Sequence, residues 1–455
     1  MSSYLNKQAP PPPPPRATAP AAPASSTSPL GAADSPATSA RTKPSHRHKQ
    51  SIHYNDAPDL AALGEQLGAG SAGAGGGVTR SRSKTANRAS RVPALGSIPS
   101  TGQSTPTRTA ATASLAPEPD LVTLPAFNAP PAPPPLPISS IRTGPRSLPY
   151  DVTHFPPPSL SVKLVLVFVP GNPGLVSYYD SFLSTLQASL PTEIKETTEM
   201  YAVGHLGHSL KAERDGMVKG FKPSQQATLE EQVQSKVEFI DEIAGKHGKD
   251  ARIMVLGHSI GSWICLQMLK QRPNSISSAH LLFPTISSMS LTPNGRKLSP
   301  LFSSWTLQPL FFSTSFFSYL PTGIVSTLVS VLTGQSGPGS ATTTSLVASP
   351  QTVVAAVTMA AKEMHDVSEL DRDLLKKVGY KCWWYWAEPG KDGWVLEDSI
   401  REIEETLGDD PQMKEKRERC REGMPHAFVL SEDHTASLAK KCAAWIVKDL
   451  DSNEI

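Results

Sequence analysis

Gly257-His258-Ser259-Ile260-Gly261 lies between the apolar run Arg252-Ile253-Met254-Val255-Leu256 and the segment Ser262 to Lys270, whose apolar residues recur at helical spacing. A bare G-x-S-x-G arises by chance on the order of 0.2 times in a chain this long, so the pentapeptide alone is weak. Its frame makes it specific: a buried strand, a tight turn and a helix are the context of a nucleophile elbow. There the backbone is strained and the flanking glycines leave room for strand and helix to approach. The reading places the Ser259 hydroxyl at the C-terminal edge of a parallel sheet.

Outward from the elbow, strand-like and helix-like segments alternate. Ser161 to Val169 is apolar but for one lysine, the pattern of a central strand covered on both faces. It ends in Pro170-Gly171-Asn172-Pro173-Gly174. A helix is expected from Tyr178 to Leu190, a strand from Met200 to Val203 and an amphipathic helix from Leu229 to His247. After the elbow, Ala279 to Phe283 and Tyr380 to Trp386 read as further strands, and a last helix runs from about Asp433 to Val447. This order predicts an α/β fold with a mostly parallel, doubly wound sheet, the α/β-hydrolase arrangement, with its site beyond the carboxyl ends of the strands.

A serine hydroxyl needs a neutral imidazole to take its proton and a carboxylate to orient that imidazole, in the chain order Ser, acid, His. Asp392, in Lys391-Asp392-Gly393-Trp394 just after the tryptophan-rich strand, is the candidate acid, with Glu388 and Asp398 as competitors. His426, before the last helix, is the candidate base, and His434 is its rival. The oxyanion donors are expected to be the backbone amides of Ile260, directly after the nucleophile, and Asn172, since Pro173 has no N–H. His205 and His208 do not fit the chain order and are expected to be structural or substrate-lining. This chemistry calls for no cofactor and no metal.

Composition divides the 455 residues unevenly. Of 44 prolines, 29 fall within residues 1–158, and residues 1–150 carry 14 Lys+Arg against 6 Asp+Glu. Such a segment cannot bury enough apolar area to offset the entropy of ordering, so residues 1–145 are expected to form a disordered basic arm and residues 146–455 the hydrolase domain. Clusters such as His46-Arg47-His48-Lys49 and Arg80-Ser81-Arg82-Ser83-Lys84 lack interleaved aromatics, and no nucleic-acid partner is expected. The first residues lack a secretory pattern and the four cysteines lack framework or metal spacing, which points to an intracellular, reducing compartment.

Between the expected strands Ala279 to Phe283 and Tyr380 to Trp386, residues 298–361 contain no Asp, Glu, Lys, Arg or His in a chain that is 18% charged. Pro309 and Pro321 cut its aromatic part into pieces of about 11 residues, shorter than the ~20 residues of a bilayer span. The expectation is a hydrophobic lid or a hairpin dipping into a lipid monolayer, with Phe311, Phe312, Phe316 and Phe317 as lipid-contacting residues. A buried cap is the alternative.

Val169 to Gly174 with Tyr178-Tyr179, Gly257 to Ser262, Leu282-Phe283-Pro284-Thr285-Ile286, Thr292-Pro293-Asn294-Gly295, Asp392-Gly393-Trp394 and Pro425-His426-Ala427-Phe428 together resemble the lipid droplet-associated hydrolase family, over about residues 160–450. The Phe283 to Ile286 and Thr292 to Gly295 motifs are the more specific, because α/β-hydrolases at large do not share them. The long basic arm departs from the compact family pattern. The resemblance implies an α/β-hydrolase on lipid droplets and endoplasmic reticulum, with Ser259, Asp392 and His426 as triad and a lipid ester, of sterol or acylglycerol class, as substrate. The alternative function is a non-catalytic droplet-surface protein that keeps the fold for binding.

Overall fold

The structure, a computed structural model, describes residues 136–335 and 337–452, so the expected arm lies outside the described residues up to residue 135. An eight-stranded sheet has the order β1-β2-β4-β3-β5-β6-β7-β8. Its strands are β1 Ile138–Thr143, β2 Pro149–Phe155, β3 Leu164–Val169, β4 Thr198–Val203, β5 Arg252–His258, β6 Ile276–Leu282, β7 Cys382–Trp386 and β8 Arg417–Arg419. β1 pairs antiparallel with β2 and β2 antiparallel with β4; the other six strands run parallel. The fold class expected from the sequence is the one present.

The leading hairpin corrects the domain boundary. Ile138–Thr143, placed in the arm on composition, is a paired strand. Its two isoleucines stand three apart, without strand-like alternation and beside a run of prolines, so the stretch reads as linker until a partner strand supplies its hydrogen bonds. β8 is also absent from the sequence reading. Its Arg-Glu-Arg carries no apolar signal and exists because β7 offers an edge.

Nine helices of ten residues or more occur among the described residues: α1 Asp180–Ser189, α2 Leu229–His247, α3 Ile260–Gln271, α4 Leu307–Ser318, α5 Thr322–Thr333, α6 Gly337–Val347, α7 Pro350–Asp366, α8 Glu397–Leu407 and α9 Glu432–Asp451. A capping box between Thr228 and Glu231 starts α2 and satisfies two of its free amides. The six residues of β3 are all buried, and their side chains divide by parity. Val165, Val167 and Val169 pack with α2, α3 and α8, while Leu164, Leu166 and Phe168 pack with α1 and α9. A fully buried aliphatic or aromatic side chain contributes about 1.5–3 kcal/mol, so this one strand anchors both layers.

Helices α4 to α7 form the insertion between β6 and β7, and they fall into two tiers. The inner pair is tied to the domain. Glu213 accepts from the Gln351 and Thr352 amides at the start of α7, at 2.8 and 2.9 Å, and the Tyr178 and Thr343 hydroxyls share a hydrogen bond of 2.9 Å under α6. The outer pair, α4 and α5, exposes Phe312, Phe316, Ile324, Leu328, Val331 and Leu332. Of the four phenylalanines expected to face lipid, Phe312 and Phe316 are each 62% exposed. Phe311 and Phe317 are half-buried, and Phe311 packs on Phe221 at 5.3 Å between ring centres.

The glycines of the elbow offer a clean test of packing. A Cβ on Gly261 would stand 2.2 Å from the Val169 oxygen and 2.7 Å from that of Pro170, both backbone atoms that cannot swing aside. Gly245, in α2, has nothing within 4 Å of its would-be Cβ. Thermal or urea unfolding is expected to show Gly261→Ala destabilised by at least about 3 kcal/mol. Gly245→Ala should be stabilised by roughly 0.5–1 kcal/mol.

Candidate active site

β5 runs directly into α3 through Ser259, which sits at φ 54° and ψ −125°, a region that non-glycine residues avoid. The turn holds because its surroundings leave no alternative. The Ser259 amide donates to Leu282 O at 2.9 Å, the Ser262 amide to Ser259 O at 2.9 Å, and the Ser262 hydroxyl to Gly257 O at 2.8 Å. A Cβ on Gly257 would lie 2.5 Å from Gly261 O, so strand and helix meet backbone to backbone.

Three predicted residues come together at this turn from segments 34 and 167 residues apart in sequence. His426 Nε2 is 2.9 Å from Ser259 Oγ, and His426 Nδ1 is 2.8 Å from Asp392 Oδ2. A carboxylate only accepts, so Nδ1 carries the ring proton and Nε2 presents its lone pair to the serine hydroxyl. The other Asp392 oxygen accepts from the Trp394 amide at 2.8 Å, which fixes the carboxylate plane. The rivals have other partners. Glu388 accepts from the Gly423 amide at 2.8 Å and Asp398 pairs with Arg401 on the surface, while His434 lies in the first turn of α9 with its ring Nδ1 buried and bonded to nothing among the described residues.

The loop after β3 lies against the nucleophile: a Cβ on Gly171 would be 2.9 Å from the Ser259 Cβ. Its polar groups are accounted for one by one. The Gly171 amide donates to the Tyr179 hydroxyl at 3.1 Å and the Gly174 amide to Gly171 O at 2.7 Å. His208 donates its Nδ1 proton to Pro173 O at 2.6 Å. The Asn172 side chain turns away to Ala356 O and Glu363 Oε1, both at 2.9 Å. Among the described residues, the backbone amides of Asn172 and Ile260 have no acceptor. They are the pair the sequence singled out.

Burial explains the two histidines at the end of β4. His208 is pushed down to about 4 and His205 further below the ordinary imidazole range, both first by burial. Both are therefore neutral supports behind the loop; a Cβ on Gly174 would strike the His205 ring at 2.6 Å.

Sequence reasoning missed a second network. His258, the variable position of the elbow, is buried and held neutral first by burial and then by the proximity of His426. Its Nε2 proton goes to His426 O at 2.9 Å, leaving Nδ1 to accept from the Tyr179 hydroxyl at 2.7 Å. Tyr179 in turn accepts from Gly171, so one chain of hydrogen bonds joins the loop after β3 to the loop that carries His426. Phe283 and Phe428 stack at 5.9 Å beside it and shut out water. The signal was the Tyr178-Tyr179 pair, whose partner lies 79 residues away.

The Thr292 to Gly295 motif also acquires a physical role. The Thr292 hydroxyl caps a short helix, Pro293–Leu298, and the Asn294 amide donates to Gly393 O at 3.0 Å. The Asn294 side chain fills the place where a Gly393 Cβ would be, 2.4 Å away, and so fixes the loop that presents Asp392.

An eight-stranded, mostly parallel sheet with a strained serine elbow hydrogen-bonded to a histidine, which is in turn bonded to an aspartate, defines an α/β-hydrolase. A family model described as Lipid-droplet associated hydrolase matches residues 162–429, more than half of the sequence. The chain belongs to that family. Among curated relatives, the lipid droplet-associated hydrolase of Gallus gallus is 28% identical over 296 residues, covering 63% of this chain and 86% of that protein. Its namesake from Mus musculus is 26% identical over 294 residues, covering 62% and 85%. That of Drosophila melanogaster is 28% identical over 282 residues, covering 60% and 86%. All three span most of the relatives' length, so the match is to a whole hydrolase domain.

Tyr179→Phe isolates the hidden network. It leaves the Gly171 amide and His258 Nδ1 unpaired in a dry environment, at about 1–3 kcal/mol each. Urea denaturation should show a loss of more than about 2 kcal/mol without any change in apolar volume. A loss below about 0.5 kcal/mol, the size of a neutral surface substitution, would remove the network from the account.

Proposed function

We propose that this hydrolase cleaves a lipid ester through an acyl-enzyme. The observation that carries the reading is the unbroken hydrogen-bond line from Asp392 through His426 to the strained Ser259. Ser259 Oγ attacks the ester carbonyl as its proton passes to His426 Nε2. The backbone amides of Asn172 and Ile260 receive the charge that develops on the carbonyl oxygen. His426 returns the proton to the departing alcohol, and a water deprotonated by the same imidazole then releases the acid. Asp392 stays ionised and holds the imidazole in its reactive tautomer.

The place of action is the surface of a lipid droplet or of the endoplasmic reticulum, and the outer tier of the insertion supports this. Trp305 and Tyr319 extend the exposed face of Phe312 and Phe316, at 72% and 86% exposure. The hydroxyls of Ser313, Thr314, Ser315, Ser318 and Thr327 bond back to helix carbonyls three or four residues earlier. Helices α4 and α5 thus meet an apolar phase with those donors already satisfied. Among the described residues no single helix is long and apolar enough to cross a membrane. The substrate follows from that surface: an ester dissolved in or lining the monolayer, of the sterol ester or acylglycerol class. The same apolar face suits a non-catalytic surface protein, but such a protein has no need of the strained Ser259 backbone.

Two measurements test the chemistry. Ser259→Ala should lose on the order of 10⁶ in turnover of an acyl ester and all labelling by a fluorophosphonate. Asp392→Asn should lose about 10⁴, while Glu388→Gln changes little. A wild-type protein that is folded yet does not label belongs to the non-catalytic reading.

Attachment has its own test. Burying each aromatic contributes about 1.5–3 kcal/mol, so Phe312→Asp with Phe316→Asp should lower partition onto triolein droplets by on the order of a hundredfold. Removal of residues 1–135 should leave it nearly unchanged. The reverse result would move the anchor to the arm.

A further inference from the structure

Glu363 stands near the C-terminal end of α7, just beyond the uncharged stretch, and is 3% exposed. Burial pushes its carboxyl up to about 7, opposed only by the hydrogen bond from Asn172. Among the described residues no cation offsets the cost of taking it out of water. Lys362, its neighbour, turns to the carbonyls of Gln226 and Ala227 instead. A buried, cation-free acid is a poor way to fasten a helix, since an apolar residue of similar volume avoids the desolvation.

What the carboxyl touches gives it a use. Asn172 Nδ2 has two protons, and both are engaged by α7, one by Ala356 O and one by Glu363 Oε1, each at 2.9 Å. Two acceptors a helical turn or more apart fix the plane of the Asn172 amide as well as its direction. The Cα that bears this side chain also bears the loop's free backbone amide.

We propose that Glu363 is a positioning residue: together with the Ala356 carbonyl it holds the Asn172 side chain, and so aims the Asn172 backbone amide at the oxyanion. The inference rests on the serine-hydrolase reading above and adds the insertion to it. Helix α7, which packs on the lipid-facing α4, is thereby part of the machinery that builds the oxyanion site. Misplacing a catalytic group by about 1 Å costs on the order of a hundredfold in rate, and removing one oxyanion donor costs about 10²–10³.

The experiment compares full-length wild type with Glu363→Ala, Glu363→Gln, Asn172→Ala and the Glu363→Ala/Asn172→Ala double variant. It reads kcat and KM on a p-nitrophenyl acyl ester, the rate of fluorophosphonate labelling of Ser259, and the melting midpoint. Glu363→Ala should lower kcat and labelling by about 10- to 100-fold with KM within about threefold. Glu363→Gln keeps an acceptor at the same reach and should return kcat to within about threefold of wild type. Asn172→Ala reads the same contact from its other end. The double variant should be no slower than the slower single one, because one linkage is being cut twice.

Wild-type kcat in a folded Glu363→Ala overturns the proposal, as does a Gln variant as slow as the Ala variant, or losses that multiply in the double variant. Should Glu363→Ala fail to fold, wild-type kcat in a folded Asn172→Ala, or a Glu363→Gln variant as slow as Asn172→Ala, overturns the proposal instead. A wild type that neither labels nor turns over would instead sink the serine-hydrolase reading itself, and this inference with it.

Discussion

The backbone contact between Gly261 and the end of β3 is the constraint on which the site depends. With no side chain between them, the first turn of α3 presses on the Val169 and Pro170 carbonyls, and this draws the chain after β5 into a turn that Ser259 can make only at positive φ. The same closeness brings the loop after β3 over the nucleophile. One steric fact thus places the serine hydroxyl and both free amides, Asn172 and Ile260, around a single point.

Around that point the protein spends buried polar groups freely. His258, Tyr179, His208, Asn172 and Glu363 each sit in or beside a low-dielectric interior, where an unmet hydrogen bond is costly and a met one is rigid. Apart from the Tyr179–His258 link itself, their bonds reach the loop after β3 or the loop of His426. In the proposed mechanism reaction charge develops between those two loops, and fixed dipoles there need no reorganisation when it does. Buried polar groups also occur away from the site, as with Lys236 and Gln232 in α2 and Asp449 in α9, but those bind elements other than the two loops.

The insertion joins two tasks that its composition suggested separately. A lid and a lipid anchor are both uncharged, and sequence alone gives no means of assigning each residue to one of them. The fold separates them by depth. α6 and α7 are bolted to the domain through Tyr178, Glu213 and Asn172, whereas α4 and α5 lie outside with their aromatics partly free. Half of the expected lipid face is therefore packing: Phe311 leans on Phe221, and only Phe312 and Phe316 of the four phenylalanines are fully presented.

Local pattern determined the elbow, five of the six parallel strands, the place of the insertion and three candidates for a triad, because each is written in a short segment whose physical requirements are strict. A serine between two glycines after an apolar strand has few other conformations to serve, and a continuous apolar run has few places to lie but the middle of a sheet. The leading hairpin, the Tyr179 to His258 network, the Asn294 support under Asp392 and the contact of Glu363 with Asn172 were settled only by tertiary structure. They join groups up to 191 residues apart, and nothing at either end announces the other. A buried hydrogen bond is a property of two segments brought together. The chain records each half as an ordinary tyrosine, asparagine or glutamate, and burial alone makes the pair matter.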